Sequence, residues 1–176
     1  MKAAVARRYG PPEVVQVSEV ARPTPGPMQV LIKVAATTVN RTDTGFRSGL
    51  PHFVRLVSGV RHLRHPILGC EYAGTVVEVG SDVTQFAVGD EVTGFNDWVF
   101  GGHAEYVVAK ADGALVTKPN SLDITTSAAL LEGGHYALNY VKAAKVGAGC
   151  RVLVNGGTGA IGSAGVQIMS ARGAQV

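Results

Sequence analysis

The sequence predicts a chain of mixed fold class, α+β passing into α/β, with a β-rich domain ahead of the opening β-α-β unit of a second domain. Two changes of pattern predict this order. Short alternating apolar and polar runs, divided by glycine and proline, extend to about Pro119, and helical periodicity follows. An apolar strand, a glycine-rich turn and a further helix then close the chain. The predicted boundaries are 1–119 for the β domain, 120–146 for linking helices and 147–176 for an incomplete second domain.

The predicted strands of the first domain are runs in which apolar and polar side chains alternate. The clearest run is 29–35, which follows a proline-rich stretch, and similar runs occupy 75–79 and 105–109. Many short strands separated by turn residues are typical of an all-β barrel or sandwich. After Pro119 the pattern predicts helices over 124–131 and 136–144, with Gly133 and Gly134 breaking them.

The second domain begins with a glycine-rich turn of the form Gly-x-Gly-x-x-Gly. Residues 151–154 predict the strand before the turn, and 174–176 predict the start of the next strand. Gly173 is the predicted cap of the helix between them. The three spaced glycines are Gly157, Gly159 and Gly162, and the predicted apolar face of the helix carries Ile161, Ala164, Ile168 and Ala171.

Glycine at these positions suits a dinucleotide, because side chains would block the tight turn, the approach to pyrophosphate or the helix packing. The helix N-terminus also offers N–H groups to phosphate oxygens. An ordinary glycine-rich turn is the alternative. The residue that would read the ribose falls at or beyond Val176, so NADPH and NADH both stay open. The predicted cofactor contacts are Gly156, Gly157, Thr158, Gly159, Ala160, Ile161 and Gly162.

Composition and charge exclude several classes of protein. The chain is 46% hydrophobic and 16% charged, which is typical of a globular protein with a large core. Its net charge of +3 is too small, and its cations too scattered, to indicate a nucleic-acid partner. We find no apolar run long enough for a membrane span and no signal peptide at the N-terminus, so we expect a cytoplasmic protein without a membrane partner. Cys70 and Cys150 suggest no disulfide framework.

Several separate segments resemble the medium-chain dehydrogenase/reductase superfamily, in its zinc-independent quinone oxidoreductase form. Asn-Arg-Thr-Asp at 40–43, with Arg-Ser-Gly at 47–49, resembles the first active-site loop. The segment 68–80 is similar to the Gly-His-Glu-x-x-Gly region of that superfamily. Segments 88–92 and 101–107 match its barrel-closing segments, and the glycine turn matches its cofactor turn.

This resemblance implies a GroES-like β-barrel catalytic domain, a Rossmann cofactor domain, NADPH (or NADH) as reductant and a quinone or enone as acceptor. It also implies that Asn40, Asp43 and Glu71 are the catalytic residues, with Asn40 contacting the nicotinamide as well. Asn40 could instead stabilise its loop by a bond to the backbone. A surface or capping role is equally open for Glu71. His103 and His135 are expected to pack or to begin helices, with a proton shuttle as the alternative.

The resemblance further implies that no metal is needed. The cysteine and histidine that bind zinc in related enzymes would fall at Asn40 and Cys70. A zinc-dependent alcohol dehydrogenase with altered ligands is the alternative, because the thiolate of Cys70 and the carboxylate of Glu71 could both bind zinc.

Two features depart from the superfamily pattern. A tyrosine found in many quinone oxidoreductases is replaced here by Gly45, with Phe46 beside it. Between Leu50 and Pro66 the chain also carries a longer segment rich in arginine and histidine. That segment could attract a cofactor phosphate or an anionic substrate, or it could be an ordinary solvated loop.

The superfamily continues well beyond the point corresponding to Val176. We therefore expect an N-terminal portion of a longer reductase, inactive when isolated, with an unpaired sheet edge and an uncovered helix face. Self-association through those surfaces, and a homo-oligomer, are expected. A non-catalytic fragment or assembly partner of the same ancestry is the alternative function.

Overall fold

A computed structural model describes residues 1–96 and 98–176. The chain divides into two compact units, Met1–Ala128 and Ala129–Val176. The strands of the first unit are β1 (Lys2–Ala6), β2 (Val15–Glu19), β3 (Gln29–Thr37), β4 (Glu71–Val79), β5 (Glu91–Phe95), β6 (Tyr106–Lys110) and β7 (Leu115–Thr117). Its helices are α1 (Arg41–Ser48), α2 (Val54–Ser58) and α3 (Ile124–Ala128). The second unit holds α4 (Leu131–Ala143) and α5 (Ala160–Ala171).

The first unit is built on an antiparallel five-stranded sheet with the strand order β6-β3-β4-β5-β7. Strands β1 and β2 form a separate antiparallel pair. The predicted β-rich domain and its three alternating runs are confirmed. Strand β4 begins at Glu71 rather than at Thr75, because its first four residues are all buried and therefore show no alternation of apolar and polar side chains.

Tyr72 is the largest side chain in the core of this sheet. Its ring lies over Gly94, its cross-strand partner, where an added Cβ would come within 2.4 Å of the ring. Burial disfavours the phenolate and raises the pKa of Tyr72 far above its ordinary value. The surrounding core residues are Val30, Ile32, Val76, Val92, Val107, Ala109, Ala111 and Leu115.

Strand β3 shifts register against β4 at two places, between Leu31 and Ile32 and between Val34 and Ala36. Such bulges bend a strand and redirect its end. The bent end of β3 carries Thr37, which donates from its hydroxyl to the carbonyl oxygen of Glu71 across 2.6 Å. The bend therefore places the segment after β3 beside the beginning of β4.

The second unit corrects one prediction about its helices. The break falls at 129–130, between α3 and α4, and Gly133 and Gly134 lie inside α4. Gly133 is tolerated there because α5 starts against it: an added Cβ would come within 2.8 Å of the Ala160 carbonyl oxygen. The buried residues of α5 are Gly165 and Met169, so the predicted apolar face with Ile161 and Ile168 is not the face that this unit buries. The cap is confirmed, with Gly173 at φ 80°.

The strand predicted at 151–154 is reduced to one parallel bridge between Arg151 and Gln175. Val152 donates to the carbonyl oxygen of Gln175, and the Gln175 N–H donates to Cys150, each across 2.8 Å. The parallel direction agrees with the predicted β-α-β order. Among the described residues this segment pairs on one side only, and Leu153 is 94% exposed. Among the described residues, no helix is both long enough and apolar enough to cross a bilayer.

Candidate active site

The site begins at the N-terminus of α1, where Asn40 is the capping residue. Its side-chain oxygen accepts from the N–H of Asp43 across 3.0 Å, and Asp43 Oδ2 accepts from the Asn40 N–H across 3.2 Å. This reciprocal pair is a capping box. The hydrogen bond between the Asn40 side chain and the backbone, which was the alternative role expected from the sequence, is therefore present. Because the amide oxygen faces the helix, the amide nitrogen must point the other way.

The amide nitrogen of Asn40 faces the beginning of β4. It donates to Cys70 Sγ across 3.0 Å and lies 3.5 Å from Glu71 Oε2. Cys70 and Glu71 are 0% and 3% exposed, so both acceptors are shielded from solvent. Thr38 donates from its hydroxyl to the same Glu71 oxygen across 2.9 Å. The fold therefore brings together Asn40 and Glu71, which the sequence singled out separately, and adds Thr38, which it did not.

Asp43 is buried and ties α1 to the turn before β4. Its Oδ1 accepts from the N–H of Gly69 across 2.9 Å. His103 Nε2 lies 3.8 Å from Asp43 Oδ2 and is 2.7 Å from the Thr38 carbonyl oxygen, to which it donates. Gly69 has a φ of 91°, and an added Cβ would come within 2.5 Å of the His103 backbone nitrogen. His103, for which packing was expected and a proton shuttle was the alternative, thus joins the same cluster.

This cluster lacks the donor set of a metal centre. Within residues 1–96 and 98–176, no three His, Cys, Asp or Glu side chains are arranged to hold a metal ion. A neutral amide nitrogen is not a zinc ligand. It lies between the two side chains, Cys70 and Glu71, that the zinc alternative requires. The arrangement instead offers N–H and O–H donors close to a carboxylate.

Two cavities border α1 on the first unit. One of about 530 Å³ is lined by residues that include Val39, Asp43 and His103. The other, of about 220 Å³, is lined on one side by Phe46 and Phe100, whose ring centroids are 4.7 Å apart. The helix that both cavities share is thus the one whose N-terminus is capped by Asn40 and Asp43.

Two backbone hydrogen bonds attach one wall of the smaller cavity to the residues just before β4. The N–H of Asn96 donates to the Cys70 carbonyl oxygen across 2.7 Å, and the N–H of Gly101 donates to that of Leu68 across 3.2 Å. Phe100 lies between these two anchors and is 2% exposed. A ligand packed against Phe46 and Phe100 would thus lie within a few residues of the Asn40 cluster along both chain segments.

The glycine turn of the second unit leads directly into α5. Gly162 is required by the fold, because an added Cβ would come within 2.1 Å of the Gly156 carbonyl oxygen. Gly157 and Gly159 are different. An added Cβ there would meet nothing closer than 3.7 Å and 3.6 Å, and neither residue has a positive φ. Packing within the chain does not explain glycine at these two positions.

The start of α5 leaves backbone donors available to a ligand. Gly159 caps the helix without a side chain, and the first intrahelical bond runs from the Ser163 N–H to the Gly159 carbonyl across 2.8 Å. The N–H groups of the three preceding helical residues therefore have no partner within the helix. A phosphate group fits this combination of bare backbone and N–H donors.

Comparison with known proteins places these features in a family. Residues 26–120 match the model of the alcohol dehydrogenase GroES-like domain. Quinone oxidoreductase from Homo sapiens is 36% identical over 100% of this chain and 51% of its own length. The CurK enoyl reductase structure superposes with a TM-score of 0.87 at 28% identity, covering 98% of this chain and 52% of that one. Mycobacterial Rv1454c, solved with NADPH, gives 0.80 at 30% identity, covering 99% and 51%.

The chain spans about half the length of the curated relatives that it matches. The fold class predicted from sequence is confirmed by the domain match and by these superpositions. The predicted domain boundaries and the roles of Asn40, Asp43, Glu71 and the glycine turn stay predictions.

Proposed function

This chain belongs to the family of alcohol dehydrogenase GroES-like domains, and we propose that the protein containing it is an NAD(P)H-dependent oxidoreductase. Its acceptor in this proposal is a quinone or an activated C=C or carbonyl compound. The observation that carries the proposal is the turn before α5, where Gly157 and Gly159 are glycines that the fold itself does not need. The similarity to human quinone oxidoreductase and to an enoyl reductase supports the acceptor class.

The residues of the turn fit a dinucleotide. A bound nicotinamide cofactor would supply the reducing equivalent. In our proposal the N–H groups at the start of α5 hold its pyrophosphate, and the bare Cα atoms of Gly157 and Gly159 let the backbone approach it. Gly162 keeps the turn closed against the helix. We propose NADPH, supported by the NADPH complex of a similar structure; competition between NADPH and NADH distinguishes the two.

Among the proposed catalytic residues, we assign the direct contact to Asn40. Its amide is fixed on one side by the capping bond with Asp43 and on the other by Cys70 and Glu71. A preorganised amide of this kind can bind the nicotinamide carboxamide without a conformational cost. Glu71 and Asp43 then act as positioning residues, because each bonds to groups that hold Asn40 or its helix in place.

In the same proposal the reaction needs no metal. Charge that develops on the acceptor oxygen is stabilised by hydrogen bonding or by protonation rather than by a Lewis acid. The zinc-dependent alternative would require the Asn40 amide to leave its position between Cys70 and Glu71.

Steady-state oxidation of NADPH by the intact natural protein tests this function. We expect turnover with 1,4-naphthoquinone or with an enone, retained after treatment with a chelator. Glu71→Gln should lower kcat more than it raises KM, since it loosens Asn40 without removing a binding contact. Absence of turnover with every quinone and enone acceptor would favour the non-catalytic alternative.

A further inference from the structure

The smaller cavity of the first unit combines an aromatic lining with basic side chains. Phe46, Trp98 and Phe100 supply aromatic rings, and Leu63 supplies an aliphatic floor. Arg64 and His65 also line it. Flat apolar walls suit a planar ring, and a guanidinium suits a carboxylate or sulfonate. At about 220 Å³ the cavity lies below the range of about 300–1,000 Å³ common for ligand sites, which favours a ligand of one or two rings.

The segment around this cavity carries basic side chains and no acidic ones. Between Asp43 and Glu71 the sequence contains four arginines and three histidines and no acidic residue. Two of the arginines are engaged: Arg47 donates to the Gly10 carbonyl, and Arg55 donates to Gly49 and lies over the Tyr9 ring. In the part of the chain that the structure describes, neither Arg61 nor Arg64 forms an ion pair with a carboxylate.

Only one of these two unpaired arginines lines the cavity. Arg64 lines it, whereas Arg61 does not. The larger cavity also contains an arginine, Arg47, but its guanidinium is already bound to a carbonyl group. The smaller cavity therefore combines an aromatic surface with an arginine that, among the described residues, has no carboxylate partner.

We propose that this cavity binds a planar aromatic acceptor bearing an acidic substituent, with its rings packed against Phe46, Trp98 and Phe100 and the anion on Arg64, assisted by His65. The proposal rests on the proposed function for the identity of the acceptor as an oxidant. The preference for an anion rests on the cavity alone. It goes beyond quinone reduction in general, because it selects acidic aromatic acceptors over neutral ones.

The chain carries a built-in reporter for the test. Trp98 is its single tryptophan, so quenching of intrinsic fluorescence reports binding at the cavity. The 176-residue chain is titrated with 2-naphthoate and with 2-naphthamide, which differ in charge but hardly in size. Because Arg64 is solvent-exposed, we expect only about a fivefold tighter binding of the anion. Equal affinity for the two compounds would overturn the proposal.

Two matched variants separate Arg64 from the general positive field. Arg64→Gln should abolish the preference for naphthoate, Arg64→Lys should keep most of it, and Arg61→Gln should leave it unchanged. An equal loss in Arg61→Gln and Arg64→Gln would show a diffuse electrostatic effect and would contradict a specific site. This titration requires no cofactor. Its failure is therefore distinct from a failure of NADPH-dependent turnover in the intact protein.

Discussion

The side-chain amide of Asn40 donates to the buried sulfur of Cys70 across 3.0 Å. The resemblance to the medium-chain dehydrogenase/reductase superfamily implies that zinc ligands of related enzymes would fall at these two positions. A hydrogen bond thus joins them directly. The capping bond to Asp43 fixes the orientation of the amide, so the contact is set by the start of α1 and not by a free rotation of the side chain.

We predict that the intact protein is active without zinc. The Asn40 amide occupies the place between Cys70 and Glu71, and an amide nitrogen does not bind the metal. Elemental analysis after incubation with zinc and extensive dialysis should find no stoichiometric metal, and a chelator should leave NADPH oxidation unchanged. Stoichiometric zinc that survives dialysis, together with activity lost on chelation, would contradict the account.

Asn40→Asp should lower the free energy of unfolding at pH 7 but not at pH 4. The variant keeps the helix cap, since aspartate caps as well as asparagine. It also places a carboxylate where the amide lay 3.5 Å from Glu71 Oε2, which raises the pKa of the pair in the folded state. When the pKa of an acid is higher in the folded state than in the unfolded state, the free energy of unfolding is unchanged below the unfolded pKa and falls above it. We expect near wild-type stability at pH 4 and a loss of about 1–2 kcal/mol at pH 7.

Urea unfolding at the two pH values measures this effect. Asn120→Asp introduces the same charge at an exposed loop position and should show no such difference between pH 4 and pH 7. An equal loss at both pH values would mean that Asn40→Asp acts through packing or capping and not through Glu71.

The strands could be predicted from the sequence, whereas the site could only be assembled by the fold. Alternation of side chains located β3 and β6, but the buried start of β4 shows no period. Asn40 and Cys70 are thirty residues apart, and no local pattern predicts their contact. The contacts of His103 could not be predicted for the same reason, because they depend on the turn at Gly69. A possible signal was the Gly-Gly-His sequence before β6, whose glycines permit that close approach.

The helix break predicted at Gly133 and Gly134 was wrong because a local pattern was present but misleading. Adjacent glycines normally predict a helix break, yet here tertiary contact with α5 favours glycine at the first position. Propensity was overridden by the packing of two helices.

Gly133→Ala and Gly134→Ala should therefore have opposite effects. An added Cβ at Gly133 would come within 2.8 Å of the Ala160 carbonyl oxygen, whereas Gly134 has nothing within 4 Å. We expect Gly134→Ala to stabilise the protein by about 0.5–1 kcal/mol through helix propensity. Gly133→Ala should destabilise it by about 1–3 kcal/mol through overpacking. Thermal unfolding followed by far-ultraviolet circular dichroism tests both, and destabilisation by Gly134→Ala would argue against a helix at that residue.

Asp123 should contribute stability only above acidic pH. The Thr126 hydroxyl and its backbone N–H donate to the Asp123 carboxylate across 2.6 Å and 2.8 Å, and these bonds lower its pKa. A carboxylate with a depressed folded pKa stabilises the protein above its unfolded pKa and loses that effect as the pH falls through the folded value. Asp123→Ala should therefore lower the unfolding midpoint in urea at pH 7 and matter less at pH 2.5. The exposed Asp112→Ala serves as the control, and an effect of Asp123→Ala independent of pH would contradict this assignment.

The most direct test of the central claim is binding of NADPH at the glycine turn. Amide nuclear magnetic resonance spectra of the 176-residue chain, titrated with NADPH into the millimolar range, should show shifts concentrated at 156–162. Gly159→Val should weaken this binding at least about tenfold while the chain stays folded. The fold leaves room for a Cβ at this position, but a side chain there would block the approach of the backbone to the pyrophosphate. Gly162→Ala, by comparison, should lower the melting temperature. Unchanged NADPH affinity in folded Gly159→Val would show that the turn is only structural and would contradict the account.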